Sequence, residues 1–110
     1  MNGKAVLSCL TIAAKADGAE IQTIEGLTTE GGPHPIQEAF SHRGAVQCGF
    51  CIPGMIMNVK AFLEENPQRA EEDLRRVLGG NICRCTGYAK QVEAMIKAKN
   101  EIMLGDRDSR

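Results

Sequence analysis

The stretch that decides the fold reads Val46-Gln47-Cys48-Gly49-Phe50-Cys51-Ile52-Pro53-Gly54-Met55, and a second cysteine pair follows in Cys83-Arg84-Cys85. Two tight cysteine pairs on either side of a helix-sized apolar segment have the spacing of a metal or iron-sulfur site. Four thiolates complete a structural zinc site or an iron-sulfur cluster without any other side chain. The cysteines alone leave both kinds of site open.

Length and charge narrow the possible functions. A chain of 110 residues predicts one domain, or one and a fraction, with a single modest core and no large catalytic pocket. The 14 acidic and 13 basic residues nearly cancel and form no dense basic block, so nucleic acid is not an expected partner. No apolar run approaches the roughly 20 residues of a membrane helix, and no signal-like segment is present, which predicts a cytoplasmic protein. In a reducing cytosol, clustered cysteines are more often ligands than disulfides, and disulfide pairing would leave one of the five cysteines over.

Helical periodicity begins after residue 33. Pro35 suits the first turn of a helix that Gly44 would end, and Pro53 suits the start of a second helix that would reach Asn66. A third helix is predicted from about Ala70 to Leu78, with Glu71, Glu72 and Asp73 near its positive end, and a fourth from about Tyr88. Each cysteine pair then lies in a loop at a helix end, where free backbone N–H groups can hydrogen-bond sulfur.

The first part of the chain has a different pattern. Asn2-Gly3 is a hairpin-turn dipeptide, and 4–8 and 20–24 are predicted as strands. Residues 26–33, rich in glycine and threonine, are predicted as a linker. We therefore divide the chain into an incomplete β-rich segment with its linker at 1–30, a helical domain at 31–104, and a disordered charged tail at 105–110.

Both cysteine motifs carry a resemblance. Residues 46–55 and 80–88, together with His34-Pro35-Ile36-Gln37 and Asn2 through Cys9, closely resemble the iron-sulfur subunit of the molybdenum hydroxylases. That family includes xanthine dehydrogenase, aldehyde oxidoreductases, aerobic carbon monoxide dehydrogenase and nicotinate dehydrogenase. The likeness covers nearly the whole chain apart from its tail, and two extended motifs in the same order are far more specific than a single C-x-x-C.

The resemblance implies a mainly α fold: a four-helix domain that binds a 2Fe-2S cluster, preceded by a truncated β-grasp (ferredoxin-like) remnant. Cys48, Cys51, Cys83 and Cys85 match the four cluster ligands of the family, and Gln47 and Cys85 match positions that contact the pterin. The expected role is electron transfer from a molybdenum-pterin centre on a large subunit, through the cluster, to FAD on a medium subunit or another acceptor. The isolated chain is not expected to be catalytic.

The sequence departs from the family pattern at its start. Family members carry three more cysteines in a loop just before the Asn-Gly turn, and those three act with the residue matching Cys9 to hold a second cluster. Met1 falls where that loop has just ended. We expect a shortened chain, a misplaced start or a separate chain that supplies the missing half, with Cys9 as an orphan ligand and a free thiol. One cluster per chain is therefore predicted.

Each assignment has a simpler structural alternative. The four cysteines also fit a zinc-stabilised interaction module, and the fold also fits a stand-alone ferredoxin-like carrier. His34 is predicted as a helix-start residue and His42 as a surface residue, since four thiolates suffice without a histidine. Arg84 is predicted to be exposed or to bridge to a partner. Phe50 and Tyr88 are predicted to pack around the loops and limit water near the cluster.

Overall fold

The computed structural model describes residues 1–68 and 70–108 and contains four α-helices in that part of the chain. The helices are α1 (Pro35–His42), α2 (Ile52–Glu65), α3 (Glu71–Leu78) and α4 (Ala89–Asp108). Helix α1 packs against α2 and α4, and α3 packs against the same two helices, so the four form a closed bundle. The prediction of a mainly α, four-helix fold is confirmed.

Local chemistry at the start of α1 explains why the helix begins where it does. His34 caps the helix: its Nδ1 accepts a hydrogen bond from the Ile36 amide at 3.2 Å. Gln37 Oε1 accepts one from the His34 amide at 2.8 Å, which completes a reciprocal capping box. Pro35 at the first helical position loses no hydrogen bond. The predicted helix-start role of His34 is therefore confirmed, and His42 is exposed as predicted.

The core of the bundle is one cluster of buried apolar side chains. Leu27, which lies inside the predicted linker, is only 3% exposed and belongs to this cluster. The helical domain therefore uses part of the segment that the sequence assigned to a connection. The largest apolar side chains that the core buries completely are Phe40, Ile36, Met55, Leu74, Leu78, Met95 and Val59.

The segment before α1 differs from the prediction. Neither 4–8 nor 20–24 forms a strand in the described part of the chain, and the only bridge there joins Thr29 to Gly32. Short 3-10 helices occur instead at Ser8–Leu10, Ala13–Ala16 and Ile24–Gly26. A strand needs a neighbour to take its backbone hydrogen bonds, and among the described residues a single backbone hydrogen bond, from the Asn2 amide to the Glu20 carbonyl, reaches either segment from a distant part of the chain. The alternating pattern was correct for an extended chain but wrong for a formed sheet.

The end of the chain also differs. Helix α4 continues through Gly105 to Asp108, whereas the tail was predicted to begin at Gly105. A single glycine costs a helix only about 1 kcal/mol, so it does not have to end one. The last two residues of the predicted tail lie outside the described residues. Across the described helices, none combines the length and apolar character that crossing a membrane requires.

Candidate metal centre

Two loops carry the cysteine pairs, and the bundle brings both loops to one place. Cys48 and Cys51 lie between α1 and α2, and Cys83 and Cys85 lie between α3 and α4. Gly49 (φ +88°) and Gly87 (φ +70°) adopt left-handed backbone conformations that glycine reaches without strain. They turn the chain next to the cysteines.

The thiols interact across the loops in two pairs. Burial, and then hydrogen bonding to Cys83, raise the pKa of Cys51 to about 11. Hydrogen bonding with Cys48 raises the pKa of Cys85. Each pair thus combines one cysteine from the first loop with one from the second. The structure brings together all four cysteines that the sequence singled out as ligands.

Hydrogen bonds stabilise the thiolate of Cys83. Together they lower the pKa of Cys83 to about 7, with the largest contribution from the Thr86 hydroxyl, 3.0 Å from the sulfur, and smaller ones from the backbone N–H groups of Thr86 and Cys85. The sequence predicted such donors in the first turn of the fourth helix, whereas these two amides lie in the loop just before α4. Donors aimed at sulfur stabilise its negative charge, which is the form that binds metal.

Tyr88 fixes the conformation of the second loop. Its hydroxyl accepts a hydrogen bond from the Cys83 amide at 2.8 Å and donates one to the Asn81 carbonyl at 2.9 Å. Tyr88 itself has a φ of +72°, which is uncommon for a residue with a large side chain. Its half-buried side chain packs against the core, so the prediction that Tyr88 packs around the loops is confirmed.

Two asparagines tie the second loop to the body of the bundle. Asn58 Nδ2, on α2, donates to the Val77 carbonyl and to Asn81 Oδ1, both at 3.0 Å. Gly54, in the first turn of α2, lies so close to Asn81 that an added Cβ would stand 3.1 Å from Asn81 Nδ2. The loop with Cys83 and Cys85 is therefore held against the helix that follows Cys51.

A buried polar residue, Gln91, connects the two loops. It is 0% exposed, and its Nε2 donates to the Ala45 carbonyl at 2.9 Å and to Thr86 Oγ1 at 2.6 Å. Ala45 leads into the first cysteine loop and Thr86 follows Cys85. Gln91 was not among the functional residues predicted from the sequence. The sequence signal that could have indicated its burial was the position of Gln91 next to Val92, which forms an apolar stripe on this helix with Met95 and Ile96.

Several residues of the loops face outward. Gln47, Cys48 and Cys85 are exposed, as is Arg84. The prediction that Phe50 packs around the loops is wrong, because its ring is 94% exposed. Gly49 turns the chain just before Phe50, so that no apolar side chain of the described residues covers the ring. Ile82, beside Cys83 in the other loop, is 88% exposed.

Cys9 stands apart from this arrangement. It lies in the 3-10 helix Ser8–Leu10 and is an exposed free thiol. In the described part of the chain, none of the interactions that link the other four thiols includes it. Its expected state as a free thiol stays a prediction.

The donor set fits a binuclear iron-sulfur cluster. Within the described residues, the side chains of His, Cys, Asp and Glu form no ready-made group of three or more that could hold a metal ion, so the fit rests on the chemistry and number of the thiols. A 2Fe-2S cluster takes two thiolates on each of its two irons, and the two thiol pairs supply that number. The N–H and O–H donors around Cys83 match the negative charge of cluster sulfur.

Fold and thiols together define a helical iron-sulfur domain. The chain belongs to the 2Fe-2S binding domain family, whose model matches residues 23–96. The match begins before the boundary predicted at residue 31, in agreement with the burial of Leu27. The resemblance noted in the cysteine motifs is confirmed.

Known relatives come from oxidoreductases. The chain is 48% identical over 102 residues to the nicotine 6-hydroxylase small subunit of Paenarthrobacter nicotinovorans, covering 93% of this chain and 61% of that protein. It is 46% identical over 99 residues to the xanthine dehydrogenase iron-sulfur-binding subunit of Escherichia coli O157:H7, covering 87% and 62%. The chain thus spans about three fifths of the length of these relatives.

Solved structures share the fold. The crystal structure of quinoline 2-oxidoreductase from Pseudomonas putida 86 superposes with a TM-score of 0.85 at 37% identity. The superposition covers 94% of this chain and 65% of that one. The observed bundle is therefore the arrangement that a known oxidoreductase uses for the corresponding segment.

Proposed function

We propose that this chain is the electron-transfer component of a molybdenum-cofactor hydroxylase, and that Cys48, Cys51, Cys83 and Cys85 hold its 2Fe-2S cluster. The observation that carries the proposal is the pairing of thiols across the loops, Cys51 with Cys83 and Cys85 with Cys48. The relatives support it, since one is named as an iron-sulfur-binding subunit and another as the small subunit of a hydroxylase.

A bound 2Fe-2S cluster supplies a site that accepts and releases one electron at a time. The chain's own residues provide its ligands, and the hydroxyl and amide donors around Cys83 stabilise negative charge on sulfur. In this proposal each electron comes from a molybdenum-pterin centre on a large partner subunit and leaves to FAD on a medium subunit or to another acceptor. The chain needs no general acid, base or nucleophile for this role, and we expect no hydroxylase activity from it alone.

The outward side of the cysteine loops is the proposed contact with the molybdenum subunit. Gln47 and Cys85 are exposed there and are the two residues assigned to the pterin by resemblance. Phe50 and Ile82 flank the cysteines and expose large apolar surfaces. Covering apolar surface releases roughly 25 cal/mol per Å², so a partner seated on these two side chains would be stabilised by them.

Metal and sulfide analysis of the full chain, purified without oxygen, tests the cluster. We expect two irons and two acid-labile sulfides per chain, a red-brown colour, and a paramagnetic signal from one unpaired electron after reduction. A colourless protein with one zinc per chain would contradict the proposal and favour a zinc-stabilised module.

Co-purification tests the assembly. We expect tagged chain to recover a large molybdenum subunit and a medium flavin subunit from its native cells, and we expect an Ile82→Asp substitution to reduce that recovery. An iron-loaded chain recovered alone under the same conditions would favour a stand-alone carrier.

A further inference from the structure

The hydrogen bonds that Thr86 accepts determine which atom its hydroxyl donates to. A hydroxyl donates one hydrogen bond and accepts up to two. Thr86 Oγ1 accepts from Gln91 Nε2 at 2.6 Å and from the Tyr88 amide at 3.4 Å, so both of its acceptor positions are used. Its third neighbour is the Cys83 sulfur at 3.0 Å. The O–H group must therefore donate to sulfur.

Gln91 depends in turn on Ala45 for its orientation. The backbone carbonyl of Ala45 can only accept, so the side-chain atom facing it at 2.9 Å must be the NH2 group. If the amide were flipped, its oxygen would face the Ala45 carbonyl and would accept the Thr86 proton that now points at Cys83. The Ala45 carbonyl thus sets the direction of every bond in the series.

Gln91 is a buried polar residue with one unpaired side-chain atom. It is fully buried, and its Oε1 has no hydrogen-bond partner among the described residues. A buried acceptor left without a partner destabilises the folded protein. An apolar residue of the same size would remove that unpaired atom but would leave the buried Ala45 carbonyl without its donor, so stability alone does not select the glutamine.

We propose that Gln91 is a positioning residue that fixes the Thr86 hydroxyl as a hydrogen-bond donor to Cys83 and thereby raises the reduction potential of the cluster. This rests on the proposed function, because it takes Cys83 as a ligand. Reduction adds one electron and increases the negative charge on the sulfurs, so a donor at Cys83 stabilises the reduced form more than the oxidised form. No proton is transferred and no bond other than hydrogen bonds changes.

Redox titration of the full chain, followed by visible absorption and EPR, tests the proposal without any enzyme assay. Thr86→Val removes the donor and should lower the reduction equilibrium constant by about three- to tenfold, which is about 30 to 60 mV for one electron. Thr86→Ser keeps the hydroxyl and should retain the wild-type potential. Gln91→Met should lower the potential by a smaller amount, because the freed hydroxyl can point away from Cys83 for part of the time.

The combination of the two substitutions decides the mechanism. In a Thr86→Val background, Gln91→Met should have no further effect on the potential. Gln68→Met, the same chemical change at an exposed position, is the matched control and should leave the potential unchanged. The proposal is overturned if Gln91→Met leaves the potential unchanged, or lowers it equally with and without Thr86.

A second measurement needs no variant at position 91. Pulsed EPR of the reduced wild-type protein should show a coupled proton that exchanges with D2O and that Thr86→Val lacks. Absence of that proton would overturn the proposal. A wild-type chain without any 2Fe-2S absorption would overturn the proposed function itself, whereas a loaded chain whose potential does not respond to Gln91 overturns only this inference.

Discussion

The phenol oxygen of Tyr88 lies 2.8 Å from the backbone nitrogen of Cys83, five residues earlier in the chain. The same oxygen donates to the Asn81 carbonyl, so one side chain satisfies a donor and an acceptor in the loop that carries two of the proposed ligands. The loop therefore holds its shape through a side chain that packs against the core.

Tyr88→Phe should destabilise the protein by about 1 to 2 kcal/mol, because it leaves the Cys83 amide and the Asn81 carbonyl without their partner. Urea denaturation of the metal-free chain measures the loss. Thr23→Val removes a hydroxyl whose hydrogen bond to Glu25 is exposed, and it should cost less than about 0.5 kcal/mol. Equal stability of Tyr88→Phe and wild type would show that the two hydrogen bonds contribute nothing.

Serine substitutions should separate the proposed ligands from the remaining cysteine. Cys48→Ser, Cys51→Ser, Cys83→Ser and Cys85→Ser should each abolish stoichiometric cluster, since a hydroxyl is a poor ligand for iron in such a site. Cys9→Ser is the matched control and should retain two irons per chain. Iron and sulfide analysis checks this, and full cluster content in any of the first four variants would remove that residue from the ligand set.

His34 should make stability depend on pH. Burial, and then the charge of Lys60, lower the pKa of His34, with Glu64 opposing. A histidine whose pKa is lower in the folded protein adds stability above its unfolded pKa of about 6.5, and this is lost as the pH falls towards the folded value. Protonation also removes the Nδ1 acceptor that caps α1.

Denaturation at pH 7 and pH 5 checks this effect. Wild type should lose up to about 1 kcal/mol relative to His34→Asn, whose side chain caps a helix without titrating. A wild-type profile parallel to that of His34→Asn would contradict the assignment of the cap.

Asn58→Ala should destabilise the bundle by about 1 to 2 kcal/mol, since it leaves the Val77 carbonyl and Asn81 without a donor in a half-buried position. Asn100→Ala makes the same change at an exposed position of α4 and should be neutral or slightly stabilising. Thermal denaturation of the two variants should therefore differ by several degrees. Identical melting temperatures would show that Asn58 does not support the loop.

The helices and the cysteine site were readable from the sequence because their signals are local. Pro35, Pro53 and the glycines after α1 and α3 mark helix ends by their own backbone preferences. That 4–8 and 20–24 form no strands in the structure could not be predicted in the same way. Alternation at 4–8 predicts an extended chain, but a sheet also needs a second segment at hydrogen-bonding distance, which no local pattern reports.

The polar contacts around the site also could not be predicted from the sequence. Gln91 is separated from Ala45 by 46 positions, and a glutamine in a helix is ordinarily a surface residue. Only the packing of α1 against α4 brings the two together. Phe50 was mispredicted in the opposite direction, as buried although it is exposed. An aromatic residue between two cysteines suggests a ring covered by its neighbours, whereas the turn at Gly49 leaves the ring exposed to solvent.

The apolar core is built from all four helices, Leu27 and Ala45, and none of the five cysteines is among its fully buried members. Cys51 and Cys83 pack against this core, but most of the apolar burial that stabilises the bundle comes from side chains other than the proposed ligands. We therefore expect the bundle to keep its shape when the cluster is lost, so that reassembly would need new iron and sulfide but no second round of folding.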